Sequence, residues 1–286
     1  MNKFCILLLL MIPSLSIHSQ GLEFGVGLGG TMYWGDLTPS VPNENFGNIR
    51  GAGSIYIRNT ITPKISLRAN LLVGKLAGDD ALSSTQWMKE RNLSFFSNLI
   101  EGGIIAEYDV LSFPRGGQWE FFEIYAMAGI SAITYNPKAD YQGNTYTLQP
   151  LGTEGQGMVG FPEPYSKISV AFPAGIGFKL KLTDNLILNP EFGVRFTMTD
   201  YLDDVGGRYV DDNLLRAGNG DLAADLANRT AEFLGQTEPV NLTGNRRGGD
   251  AKDLYYIGMI HIAYRFNDKF NLLKGKSRYD IGCPTF

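Results

Sequence analysis

The 286-residue sequence predicts an all-β chain: an eight-stranded antiparallel transmembrane up-and-down β-barrel with long extracellular loops. Three observations predict it. The first residues have the layout of an export signal, the composition is rich in glycine and aromatics without being greasy, and apolar residues alternate with polar ones at period two.

At the N-terminus, Lys3 precedes an apolar run over 4–12, and Pro13 and small polar residues follow. That arrangement predicts a cleaved signal peptide over 1–19, with Ile17 and Ser19 at the positions a peptidase reads and a mature chain starting at Gln20. Only four residues precede Cys5, too few for the hydrophobic stretch that lipid attachment needs. The run is also shorter than the roughly 20 apolar residues of a spanning helix, and nothing later in the chain approaches that length.

Glycine stands at 35, tyrosine at 14 and phenylalanine at 17, with a mean hydropathy of -0.09. This profile suits strands that show alternate residues to lipid and to a polar lumen. The net charge of -4 offers no basic footprint for nucleic acid. Of the two cysteines, Cys5 leaves with the signal, so Cys283 has no intramolecular partner.

Strand by strand, the alternation is clearest at 186–200, where Leu186, Leu188, Pro190, Phe192, Val194, Phe196 and Met198 share one parity while Asn189, Glu191, Arg195, Thr197 and Thr199 share the other. The segment 167–182 repeats it, with Ile168, Val170, Phe172, Ile176, Phe178 and Leu180 opposite Lys167, Ser169, Lys179 and Lys181. A tight turn, Thr183-Asp184-Asn185, joins the two. Six more strands are expected at 22–35, 51–59, 65–76, 93–111, 121–135 and 255–266. An even total lets an antiparallel barrel close, which removes the unpaired edges that hydrocarbon does not tolerate.

Connections alternate in length. Short turns at 60–64, 112–120 and 183–185 mark the periplasmic end, and the long connections mark the outside. A soluble barrel would invert the faces, and alternation alone fits either case. The minority face favours the membrane: Arg68, Glu101, Glu107, Glu191, Arg195 and Arg265 form a mixed-sign set suited to a packed polar lumen. Tyr33, Trp34, Tyr108, Tyr125, Tyr135, Tyr201, Tyr255 and Tyr264 are candidates for the interfacial aromatic girdles.

The chemical motifs are few. Gly25-Val-Gly-Leu-Gly-Gly30 matches a dinucleotide pattern but lies on a strand with no helix after it, so glycines facing a crowded lumen are the better reading. His261 is the sole histidine outside the signal, which leaves no histidine metal cluster and points to a lumen hydrogen bond. Neither a Gly-x-Ser-x-Gly elbow, nor a Cys-x-x-Cys pair, nor a His-Glu-x-x-His helix is present, so the sequence implies no catalytic residues, metal or cofactor. Asp200, Asp203, Asp204, Asp211 and Asp212 read as a solvated acidic loop rather than a calcium site. In the last long loop, Leu214, Leu215, Leu222, Leu226 and Phe233 are spaced for a short helical plug or lid broken near Gly218 and Gly220, with a surface excursion as the plainer alternative.

Three segments are distinctive: NLSFFSNLIEGGIIAEYDV at 92–110, NPKADYQGNTYTLQPLGTEGQG at 136–157 and TDYLDDVGGRYV at 199–210. Together they resemble the Bacteroidota outer-membrane barrel family that includes PorG of the type IX secretion system. The resemblance implies a non-enzymatic component of a protein-export machine, related to gliding motility in some members. It also implies association with a periplasmic ring of the lipoprotein PorK (GldK-like) and its partner PorN (GldN-like). Outer-membrane lipids are the other expected partner. After the closing strand of the 20–266 barrel, residues 267–286 form a periplasmic tail, and tail and short turns alone can reach such a ring. Lys274, Lys276, Arg278, Tyr279, Cys283 and Phe286 are the candidate docking residues, with Cys283 expected as a passive thiol.

Overall fold

The computed structural model describes residues 21–39, 41–115, 118–249 and 251–266. Among them are nine strands: β1 (Leu22–Trp34), β2 (Arg50–Thr62), β3 (Ile65–Asp79), β4 (Ser94–Arg115), β5 (Gln118–Tyr141), β6 (Asn144–Thr147), β7 (Ile168–Lys181), β8 (Leu186–Thr197) and β9 (Leu254–Phe266). Eight of these run β4-β3-β2-β1-β9-β8-β7-β5, every neighbour antiparallel, and the β4–β5 pairing closes the ring. The result is an eight-stranded barrel without an edge in its wall. No helix among the described residues is long and apolar enough to cross a membrane, which says nothing of strands.

Alternation sets the two faces. On β1 the odd positions Glu23, Thr31 and Tyr33 are buried, whereas Phe24, Val26 and Leu28 point outward, Leu28 with 75% of its surface exposed. Register carries that choice around the wall: Val26 lies opposite Ile55 on one side and Ile262 on the other, and all three are exposed. The outer surface therefore carries a continuous band of Ile, Leu, Val and Phe, while arginine and glutamate side chains are enclosed within. A soluble protein rarely exposes an apolar patch of more than a few hundred Å². A wall of this kind is built for hydrocarbon.

Lumen glycines make room for rings. A Cβ on Gly25 or Gly177 would overlap the Tyr56 or Tyr125 ring, and one on Gly27 would overlap His261. The glycine run on β1 is thus a packing device, as the strand reading of 25–30 requires.

The aromatic assignment is corrected in part. Trp34, Tyr108 and Tyr264 face outward, and Trp34 meets Tyr256 edge-on at the loop end. Tyr33, Tyr125, Tyr135 and Tyr255 are instead buried inside the barrel, since they share the parity of Glu23, Glu123 and His261; Tyr201 lies in a loop. Two loop boundaries also move. The first part of the expected 136–157 loop is strand: β5 runs on to Tyr141 and turns through Gln142 and Gly143, both at positive φ, into the short β6. At the other end β4 and β5 extend to Arg115 and Gln118, which tightens the expected 112–120 turn.

Among the described residues, helices occur only in the connections. A short helix, α1 (Gln86–Arg91), lies between β3 and β4, and the long connection after β8 holds α2 (Asp212–Asn219), α3 (Asp221–Ala227) and α4 (Thr230–Leu234). Asp211 caps α2 by accepting from Leu214 N–H at 3.0 Å, and Gly220 separates α2 from α3 at φ +93°. Leu215 and Leu226 are buried, whereas Leu214 and Phe233 are exposed, so the expected plug uses one helical face. The expected signal at 1–19 and the tail at 267–286, including Lys274, Lys276, Arg278, Tyr279, Cys283 and Phe286, lie outside the described residues.

Candidate functional site: a filled lumen under a loop cap

The lumen is packed in three tiers. Nearest the short turns, Arg58 Nη1 donates to Glu23 Oε2 at 2.7 Å, and its Nε lies 2.9 Å from Glu107 Oε2. Arg265 Nη2 reaches Glu23 Oε1 at 2.7 Å, and Lys179 Nζ donates to Asp109 Oδ1 at 2.6 Å. At mid-height Arg68 holds Glu191 through two bonds, at 2.6 and 3.1 Å, and lies 3.4 Å from Glu107. The Tyr125 hydroxyl donates to Glu191 at 3.1 Å, and the Arg58 and Arg68 guanidinium groups stand 4.8 and 5.0 Å from the Tyr56 ring. Higher still, Arg195 Nε contacts both Glu101 oxygens at 3.2 and 3.3 Å, and Tyr255 donates to Glu101 at 2.7 Å.

The six charges that the sequence assigns to the lumen thus lie inside the barrel, and each is ion-paired. They form two networks, one joined through Glu107 between Arg58 and Arg68 and the other at Arg195 and Glu101, that also use Lys179 and three residues the sequence reading did not single out: Glu23, Arg58 and Asp109. Parity would have found them, because each sits on the same face as its partners. His261 meets Ser54 Oγ through Nε2 at 2.7 Å, which accounts for this histidine as a lumen hydrogen bond. Buried charges are tolerated only when paired, and an eight-stranded barrel is just wide enough for side chains.

Above these tiers the lumen becomes apolar and is stoppered from the loop side. Leu202 and Val205, from the loop after β8, and Leu226, from α3, pack against Tyr33, Leu72, Leu76, Leu99 and Ile257 of the wall. The segment around them is pinned by buried charge. Arg247 donates to Glu154 Oε1 at 3.1 Å, to the Asp204 carbonyl at 2.7 Å and to the Ala227 carbonyl at 3.1 Å. Arg91 binds both Asp80 oxygens at 2.7 Å and the carbonyls of Asp36 and Arg247 at 2.7 and 2.9 Å. Separate loops are therefore tied together over the mouth.

Here the expected solvated acidic loop is corrected in part, since Asp211 is exposed and Asp200 and Asp212 are half-buried. Asp203 and Asp204 are wholly buried, and no group of three or more carboxylate, histidine or cysteine side chains is arranged to hold a metal among the described residues. Asp204 accepts from the Thr153 and Tyr165 hydroxyls, each at 2.6 Å, yet burial pushes its carboxyl up to about 6 against the pull of Arg247. Tyr165 stacks on Tyr201 at 4.6 Å. On the outer side of the cap, a cleft of about 500 Å³ is lined by Phe161, Pro162, Tyr201, Tyr209 and Leu214.

The profile of a domain of unknown function (DUF6089) matches residues 2–225. The chain belongs to the DUF6089 family. No curated protein matches this DUF6089 chain. Among solved structures it is similar to Neisserial surface protein A, at 8% identity and a TM-score of 0.42, over 86% of this chain and 97% of that one. It is also similar to Ail, the attachment invasion locus protein of Yersinia pestis, at 7% identity and a TM-score of 0.40, over 86% and 99%. A major outer membrane protein from Thermus thermophilus gives 14% identity and a TM-score of 0.40, over 86% and 99%. At such values no activity passes from those proteins to the DUF6089 chain.

Proposed function

We propose that this chain is a non-enzymatic outer-membrane component of the type IX protein secretion machinery, and of gliding where that is coupled, which anchors or positions a periplasmic ring of PorK and PorN type (GldK- and GldN-like). The filled lumen carries the reading. With paired charges through its lower tiers and a stopper of Leu202, Val205 and Leu226 at its mouth, the barrel offers no conduit, so its work lies on its surfaces. The apolar wall supports placement in a bilayer, and the secretion role rests on the resemblance of the 92–110, 136–157 and 199–210 segments to the PorG-containing family. In this arrangement the short turns and the 267–286 tail face the ring, and the loop cap faces outside. Affinity purification of the tagged protein from detergent-extracted membranes tests it. Ring components co-purify with the full chain and are lost when 267–286 is removed while the barrel keeps its heat-modifiable migration. Absence of ring components from the full-chain eluate, in an organism that makes them, refutes the role.

A second reading is a ligand-binding or sensor barrel. The cleft beside Phe161 and Tyr201 favours it, being lined by three loop segments and by Leu214 of α2. Under that reading Leu214→Arg abolishes capture of a surface ligand, and no ring component co-purifies with the wild type.

A further inference from the structure

The deepest point of the cap carries an arrangement of protons that the anchoring role does not use. The Tyr33 hydroxyl, at the loop end of β1, lies 2.7 Å from Asp203 Oδ2 and 2.7 Å from Asp253 Oδ1. A phenol has one hydrogen and can donate to one of these oxygens only. The other can sit that close to the phenol oxygen when it carries a hydrogen and donates in turn. The remaining oxygens are committed as acceptors: Asp203 Oδ1 takes Val205 N–H and Asp253 Oδ2 takes Leu202 N–H, both at 2.9 Å. One proton is thus held between two carboxyls, by way of a tyrosine, with all three side chains at 0–1% exposure.

We propose that Tyr33, Asp203 and Asp253 form a one-proton latch that holds the loop cap in the barrel mouth and lets go as the medium on the loop side turns alkaline.

The latch spans the elements that must separate. Tyr33 belongs to the wall, Asp253 leads into β9, and Asp203 sits in the segment that drives Leu202 and Val205 into the mouth. Loss of the proton leaves two buried anions facing one donor. The charged groups around them do not relieve this. Asp36, from the β1–β2 connection, and Asp200 add negative charge, and Asp36 Oδ2 has no hydrogen-bond partner among the described residues. Arg91, from the β3–β4 connection, is a cation that acts on Asp203, but its guanidinium is taken up by Asp80 and two carbonyls. Arg247 is likewise committed to Glu154. Burial pushes both carboxyls well above the usual carboxylate range, with added repulsion from Asp253 and Asp36 on Asp203 and from Asp36 and Asp200 on Asp253.

The sign follows. A carboxyl that holds its proton more tightly in the closed cap than in the open one favours closure at low pH, and the advantage disappears as pH rises through the closed-state value. Hydrogen exchange of the full-length refolded barrel in detergent, from about pH 8 to about pH 10, above the range in which Asp204 titrates, and corrected for intrinsic exchange, reads cap opening at 199–210 against the β1–β9 amides. The wild type is expected to open at least roughly tenfold more at the alkaline end, the change that about 1.4 kcal/mol produces. In Asp253→Asn, the amide donates permanently to Tyr33 while its oxygen still accepts from Leu202, so the cap stays closed across the range. In Tyr33→Phe, opening is raised already at the lower end of the range. A flat wild-type profile overturns the latch, as does an Asp253→Asn profile that still rises with pH.

Discussion

Replacing Arg68 by methionine tests how the lumen is held together. The Arg68 guanidinium is fully buried, with two bonds to Glu191 and a 3.4 Å approach to Glu107. Methionine fills much of the same space but leaves Glu191 dependent on the Tyr125 hydroxyl for hydrogen bonding. Glu107 fares better, because Arg58 at 2.9 Å and Lys179 at 3.7 Å still face it. Removing one member of a buried pair costs about 3–5 kcal/mol, largely through the stranded charge. That is a large share of the roughly 5–15 kcal/mol that separates a folded domain from its unfolded chain. Arg68→Met/Glu191→Met removes both charges and is expected to cost less than the sum of the single changes, by about 2 kcal/mol. The assay is reversible guanidinium unfolding in detergent, followed by tryptophan fluorescence, with slopes compared to establish that midpoints report stability. An Arg68→Met cost below about 1 kcal/mol, or strict additivity in the double variant, refutes the account of the lumen as a set of mutually required charges.

Three further outcomes are expected. Gly25→Leu forces a side chain into the Tyr56 ring and prevents formation of the heat-modifiable barrel, whereas Gly102→Leu, on the outer wall where a Cβ meets nothing within 4 Å, migrates as wild type. Arg91→Met releases Asp80 and the carbonyls of Asp36 and Arg247, so the cap becomes protease-sensitive at neutral pH while barrel migration is unchanged. Asp204, whose carboxyl is raised from the usual 3.8 to about 6, binds its proton more tightly in the closed cap; closure therefore weakens as pH rises from about 4 to about 7, and Asp204→Asn flattens cap exchange over that window.

Much of this architecture was legible from parity alone. Once Glu191 and Arg195 define the inward face of β8, the neighbouring strands follow, and the same rule predicts that Tyr33 and Tyr255 turn inward with Glu23 and His261. Assigning them to an interfacial girdle weighed residue type over position; Trp34 and Tyr264, of the opposite parity, are the ones that face out. Periodicity could not reveal where β5 ends, because Lys138 to Asp140 are polar in part and lie where the strand has left β7, pairs with β4 only as far as Lys138, and continues as a hairpin with β6. Nor could it reveal the cap. Asp203 and Asp204 read as solvated because local sequence gives no sign of Tyr33, 170 positions away, or of Arg247, whose side chains make burial tolerable. Long-range partners decide such residues, and a pattern of near neighbours does not contain them.

The distinction between a surface-acting barrel and a conduit is also one of long-range packing, and it comes down to whether ions pass. Purified full-length protein reconstituted into a planar lipid bilayer is expected to give no steps of conductance above the bare membrane at neutral pH, since the tiers of Arg58, Arg68 and Arg195 with their carboxylates and the apolar stopper fill the lumen. Reproducible unitary conductance from the folded wild-type barrel would contradict the account.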